Sequence, residues 1–266
     1  MTGRSESGPA VTYRRDGAIG VIGLDRPDNR NSMTAELLDA FTVASAAARA
    51  DRDARCVVIV GSGSCFSAGA DFRAEVQRGD AERLPHERSY AMYEPFLTVL
   101  DLEVPVIGAL NGHAVGGGFG LALLCDIRIA SRTGRYGANF CRLGLAPGLG
   151  ISYLLPRLVG ASKAAELLYT GRLMSGDEMA ATGLASRALD PGAVLPAALD
   201  LAQEIALSAP LAVRATKRAM ADGLGWDARK AAHREAFAQA ATLATTDVQE
   251  GIAALLEKRE PRFTGK

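Results

Sequence analysis

Apolar and polar positions trade places in two short β-rich runs, Val11–Arg15 and Ile19–Leu24, on either side of Asp16-Gly17. That arrangement predicts a hairpin. A polar loop, Arg26-Pro-Asp-Asn-Arg-Asn-Ser32, comes next. Beyond it, Leu37, Leu38, Phe41 and Ala44 recur at helical spacing, and Thr34 stands where an N-cap belongs. Cys56–Val60 is an unbroken apolar run, the pattern of a strand buried on both faces. Residues 61–85 are rich in loop formers. A helix is predicted from about His86 to Leu100, and a second buried strand over Val104–Leu110. The glycine-rich stretch Gly112–Gly120 then opens an apolar helix to Leu124, and Ile127–Ala130 reads as strand again. Strand and helix alternate, so the fold class is α/β.

From Pro147 onward helical patterns dominate: Ala161–Tyr169, Gly176–Ala181, Pro196–Ser208, Pro210–Asp222 and Ala228–Ala244. Thr246-Asp-Val-Gln-Glu250 offers overlapping capping boxes for a last helix to about Lys258. The expected organisation is a disordered arm over 1–10, an α/β core over 11–205 and a helical region over 206–266.

Composition narrows the classes. Apolar residues make up 48% of 266, enough for a substantial core, and 30 basic residues balance 30 acidic ones. No charge excess points to nucleic acid. Val104 to Cys125 carries no charged residue, yet Pro105, Asn111, His113 and its glycines argue against a lipid-facing span. Cys56, Cys65, Cys125 and Cys141 have no zinc-ribbon or redox-pair spacing, so no metal is expected and a reducing cytoplasm is the default. P-loop, G-x-S-x-G and H-E-x-x-H spacings do not occur. Gly61-Ser-Gly63 begins like a dinucleotide fingerprint, but Phe66 stands where its third glycine belongs.

Two glycine-bearing turns follow the two buried strands: Cys65-Phe-Ser-Ala-Gly-Ala-Asp-Phe-Arg73 and Asn111-Gly-His-Ala-Val-Gly-Gly-Gly-Phe119. If the strands neighbour each other in a parallel sheet, both turns share one sheet edge, where ligands bind in α/β folds. The second turn opens a helix, whose first N–H groups lack intrahelical partners and favour negative charge. Either these glycines serve tight turns and close packing, or two backbone N–H groups grip an oxygen that becomes negative during reaction.

These turns, with Leu24-Asp-Arg-Pro, Arg30-Asn31, Pro105-Val-Ile, Cys125-Asp-Ile127, Leu143-Gly-Leu-Ala-Pro-Gly148, Glu250-Gly251 and Glu257–Phe263, resemble the crotonase superfamily, the enoyl-CoA hydratase/isomerase family, over nearly the whole chain. The resemblance implies a spiral of β-β-α units with a C-terminal helical region that forms trimers, often paired into hexamers. It implies a coenzyme A thioester as substrate, no permanently bound cofactor, and an oxyanion hole made by the N–H groups of Ala70 and Gly117. It carries Ala68, Asp71, Phe72 and Arg73 over as substrate contacts, and more weakly Phe263 and Lys266. Arg26 and Arg30 either approach the nucleotide end or are solvated.

The chain departs from the family pattern at two positions. Hydratases that resemble it place glutamates where Gly120 and Phe140 stand here, and neither residue transfers a proton. Replacement candidates are few. His86 and Tyr90 lie on the helix that covers the acyl pocket in the family, and Tyr93 is on the same helix. Asp126 reads as a structural cap, His113 as packing and His233 as a solvated face, while Asn139 and Arg142 flank Phe140. The expectation is an acyl-CoA enzyme, enoyl-CoA hydratase/isomerase-like, that stabilises a thioester enolate with both usual glutamates replaced. The alternatives are a non-catalytic acyl-CoA-binding protein, or a crotonase-type isomerase, hydrolase or decarboxylase.

Overall fold

The computed structural model describes residues 8–71, 84–223 and 227–262. Strands β1 (Val11–Asp16) and β2 (Ile19–Leu24) form the predicted hairpin, with Val11 opposite Leu24 and Asp16 opposite Ile19. Strands β3 (Cys56–Gly61), β5 (Val106–Leu110), β7 (Ile127–Ser131) and β10 (Arg187–Leu189) extend it in parallel, giving the order β1-β2-β3-β5-β7-β10. A second sheet is made of β4 (Cys65–Ser67), β6 (His113–Val115), β8 (Arg135–Gly137) and β9 (Met174–Ser175). The chain therefore visits one sheet, then the other, then a helix, and repeats: a spiral of β-β-α units. The strands of the second sheet are two or three residues long. That is too short for an alternating pattern, so this layer is not visible in the sequence.

Helix α1 (Ala35–Ala50) is capped as expected, the Leu37 N–H donating to Thr34 Oγ1 at 3.2 Å. Helices α2 (Pro85–Leu97) and α3 (Gly117–Leu124) complete the first two units. Helices α4 (Ile151–Val159), α5 (Ala161–Thr170), α6 (Gly176–Ala181) and α7 (Pro191–Ala206) follow. Helix α7 starts earlier than the predicted Pro196 because Pro191 occupies its first turn, where a missing N–H costs nothing. Helices α8 (Pro210–Gly223), α9 (Ala228–Leu243) and α10 (Thr246–Glu257) end the chain, and α9 packs along α2. Helix α10 begins ahead of the predicted boxes, so Thr246 and Asp247 lie inside its first turn rather than at its N-cap. Its N-cap is Thr245, whose hydroxyl donates back to the Thr242 carbonyl, and Glu250 pairs with Arg259 instead.

The buried strands carry two cores. Val57 and Ile59 face Ile22, Phe41, Phe96 and Leu121, with Phe41 and Phe96 edge to face at 4.9 Å. Cys56 and Val58 face the other way, against Val194, Ala198 and Ala202 of α7. A strand covered on both faces needs apolar residues at every position, which explains the unbroken Cys56–Val60 run. All four cysteines are free thiols. The expected arm over 1–10 falls largely outside the described residues, but Ala10 is buried and accepts the Asp25 N–H at 2.8 Å. No single helix among the described residues is long and apolar enough to cross a membrane.

Candidate active site

The loop after β2 builds one side of the site. Arg30 and Asn31 take left-handed backbone conformations, φ 60 and 52. Asn31 is fully buried. Its Nδ2 donates to the Ser62 and Cys65 carbonyls at 3.0 and 2.9 Å, and its Oδ1 accepts the Arg26 N–H at 2.8 Å. In return, Ser67 Oγ donates to the Asn31 carbonyl at 2.8 Å and the Ala68 N–H to the Arg30 carbonyl at 3.0 Å. The Met33 N–H donates to the Gly69 carbonyl at 2.8 Å. These bonds hold the turn through Ala70 rigid.

The second turn meets the first at Gly69. This residue has φ +79, and a Cβ there would lie 2.5 Å from the Val115 carbonyl oxygen and 3.2 Å from the Gly117 nitrogen. Only glycine permits that approach. The first helical N–H of α3, at Gly117, thus lies beside the Ala70 turn. Neither N–H donates to another described residue. The helix dipole adds positive potential at the same point.

The surrounding side chains are mostly apolar. A Cβ on Gly117 would meet Met33 Sδ at 2.2 Å and Tyr93 Cε1 at 3.4 Å. Phe140, buried, has its ring tip 4.0 Å from the Cβ position of Gly116, where Asn139 Oδ1 is 3.7 Å away. At Gly120 a Cβ would strike Leu149 Cδ2 at 2.5 Å and Ile151 Cδ1 at 3.2 Å. Leu149 is fully buried with φ 61, an unusual backbone for a leucine. Its turn is held by Glu235 of α9, whose buried carboxylate accepts the Gly150 N–H at 2.5 Å, the Ser152 N–H at 2.8 Å and the Ser152 hydroxyl. Burial raises the Glu235 carboxyl above the ordinary range, against the pull of those donors. Burial likewise raises the Tyr93 phenol, which stays neutral.

The remaining candidates take varied places. Arg26 pairs with Glu36 and donates to the Asp25 carbonyl at 2.8 Å, while exposed Arg30 stands next to Ala68 in the hydrogen-bonded loop. Asp71 is half-buried directly after Ala70. Phe72, Arg73, Phe263 and Lys266 lie outside the described residues. His86 stacks on Phe237 at 3.8 Å, and Tyr90 meets the exposed His233 edge-on at 5.3 Å, so both belong to an aromatic cluster between α2 and α9. The α2 residue that touches Gly117 is Tyr93, at helical spacing from His86 and Tyr90. His113 Nδ1 accepts the Arg135 N–H at 3.0 Å, and Asp126 binds the Val106 N–H at 2.7 Å and Lys217 at 2.8 Å. Both are structural. Arg142 turns away to the Thr170 carbonyl at 2.8 Å. Met33, Leu149, Glu235 and Gln239 carry no motif and enter the site only through the fold.

The family model described as Enoyl-CoA hydratase/isomerase matches residues 14–266. The chain belongs to the enoyl-CoA hydratase/isomerase family. This family member is 35% identical to a putative enoyl-CoA hydratase/isomerase of Bacillus subtilis, over 93% of this chain and 95% of that one. It is 35% identical to a crotonyl-CoA hydratase of Syntrophomonas wolfei, over 96% and 98%. Among solved structures, a carnitinyl-CoA hydratase from Mycobacterium avium superposes with TM-score 0.85 at 32% identity, covering 98% of this chain and all of that one. The β-β-α spiral is thus the crotonase fold, and the family acts on coenzyme A thioesters.

Proposed function

We propose that this family member binds an acyl-CoA thioester with its carbonyl oxygen between the N–H groups of Ala70 and Gly117, and stabilises the enolate of that thioester. The approach of Gly69 to the Gly117 nitrogen supports this reading, because Ala70 follows Gly69 in that turn and neither N–H donates to another described residue. One such donor is worth about 3–4 kcal/mol to a developing oxyanion. Coenzyme A lies along Ala68 and Asp71, with Arg26 and Arg30 near its phosphates, Phe72 and Arg73 on the following segment, and Phe263 and Lys266 at the chain end. The helices from residue 206 onward assemble copies into a trimer or hexamer.

Two-carboxylate hydration lacks its usual acid and base in this reading. Gly120 and Phe140 hold no proton, and Leu149 and Ile151 fill the space beside Gly120. Isomerisation, thioester hydrolysis and decarboxylation use the same hole with other partners. The apolar packing at Gly120 also favours a second reading, a non-catalytic acyl-CoA-binding protein. Titration with acetoacetyl-CoA tests the hole: the bound ligand shows an enhanced enolate absorbance at neutral pH, and binding without that enhancement refutes the oxyanion assignment. Deuterium uptake at the α-carbon of butyryl-CoA in heavy water then separates the readings, since an enzyme accelerates it and a binder does not.

A further inference from the structure

A cavity of about 360 Å³ opens at the other end of the sheet from the two glycine turns. Its walls are the β1–β2 turn at Gly17, the loop ahead of β3 with Arg52, Asp53 and Arg55, and the start of α8 with Pro210 and Arg214. The glycine turns follow the ends of β3 and β5, whereas this cavity lies where β3 begins. The six residues of β3, about 20 Å, separate the two places.

Three arginines line the cavity from two walls, and their own partners are few. Arg52 makes no hydrogen bond or ion pair among the described residues. Arg55 commits Nη1 to the Ala206 carbonyl at 2.9 Å. Arg214 comes no nearer than 3.9 Å to Glu103, and its Nε is buried without a hydrogen-bond partner among the described residues. The carboxylate in the lining, Asp53, is already engaged, its Oδ2 accepting from Arg15 Nη2 at 3.2 Å. Positive charge is therefore in surplus here, in a chain whose net charge is zero. The first N–H groups of α8, behind Pro210, add to it.

Guanidinium groups gathered at one cavity repel each other until an anion lies between them. Each offers a planar fork that matches phosphate or carboxylate oxygens. A carboxylate holds two oxygens in one plane and fills one fork. A phosphoryl group holds three terminal oxygens in a tetrahedral array and meets forks that arrive from separate walls. The volume is that of a small-ligand site. The geometry points to a second binding site, at which Arg52, Arg55 and Arg214 hold a small phosphorylated ligand. It is separate from the acyl-thioester site and independent of that reading. A ligand bound there ties α8 to the loop ahead of β3. No described side chain of α8 is buried, and the helix is otherwise fastened by Lys217, bonded to Asp126 at 2.8 Å and to the Val104 carbonyl at 2.9 Å.

Calorimetric titration of the full chain with inorganic pyrophosphate at fixed ionic strength tests it, with amide exchange over 210–223 read by mass spectrometry. Saturable binding is expected. Arg52→Gln, which breaks no described contact, and Arg214→Gln each weaken it about tenfold, the loss of one hydrogen bond to a charged group. Arg30→Gln, at the far end of the sheet, leaves it within about twofold. Pyrophosphate slows exchange in α8 several-fold in the parent and not in Arg214→Gln. The inference is overturned if pyrophosphate does not saturate, or if both Arg52→Gln and Arg214→Gln bind it as the parent does. It is equally overturned if Arg30→Gln is the variant that loses binding, or if malonate binds as tightly as pyrophosphate.

Discussion

The space beside Gly120 offers a quantitative check on how the site is closed. Alanine for glycine inside a helix gains about 1 kcal/mol from propensity. At Gly120 the added methyl meets Leu149 Cδ2 at 2.5 Å and Cγ at 3.1 Å. Leu149 has little freedom to retreat. It is fully buried, its backbone is left-handed, Tyr93 covers Gly148 on one side, and Glu235 holds Gly150 on the other. Overpacking of this kind costs about 1–3 kcal/mol, so Gly120→Ala destabilises by about 1 kcal/mol after the helix gain. Leu149→Ala removes a fully buried leucine and costs about 3 kcal/mol. In the double variant the methyl at 120 enters the space that Leu149 leaves. The two effects then fall short of their sum, with a coupling of at least about 1 kcal/mol. Denaturant unfolding of the four proteins, compared at a common slope, measures it. Additivity within about 0.5 kcal/mol, or a Gly120→Ala variant more stable than the parent, would refute the reasoning.

Crotonyl-CoA, followed by loss of its conjugated absorbance, is hydrated slowly, because each missing acid or base forgoes about 10²–10⁴-fold. Gly120→Glu, Phe140→Glu gains rate only when Leu149→Ala makes room; brisk turnover by the unmodified protein would sink this account. The raised Glu235 carboxyl makes the folded state bind a proton more tightly than the unfolded one. Its contribution is therefore full below the ordinary glutamate range and is lost as pH rises through the elevated value, and Glu235→Gln flattens that part of the stability profile, measured by unfolding at several pH values. Cys141 is exposed while Cys56, Cys65 and Cys125 are buried, so a thiol reagent modifies one cysteine promptly in the native chain and four in denaturant. Prompt reaction of a second native thiol would contradict the burial.

Much of this protein is written locally. The 11–24 hairpin, the cap at Thr34, the doubly buried strand over 56–60 and the glycine-opened helix α3 follow from period, turn chemistry and run length, each readable over a few adjacent residues. The two glycine turns were legible for the same reason, since a tight approach of backbones demands glycine wherever it occurs. The second sheet was not, because strands of two or three residues hold no period. The capping boxes at Thr246–Glu250 set the cap too late: the helix already begins at Thr246 behind Thr245, and Glu250 binds Arg259. Tertiary structure alone decided which side chains line the turns. Met33 comes from the loop after β2, Tyr93 from α2, Leu149 from the turn before α4, and Gln239 from a helix near the chain end. Their chemistry depends on burial and on neighbours distant in sequence. A lone tyrosine, leucine or glutamine therefore carries no signal until packing sets it beside Gly117 and removes it from water.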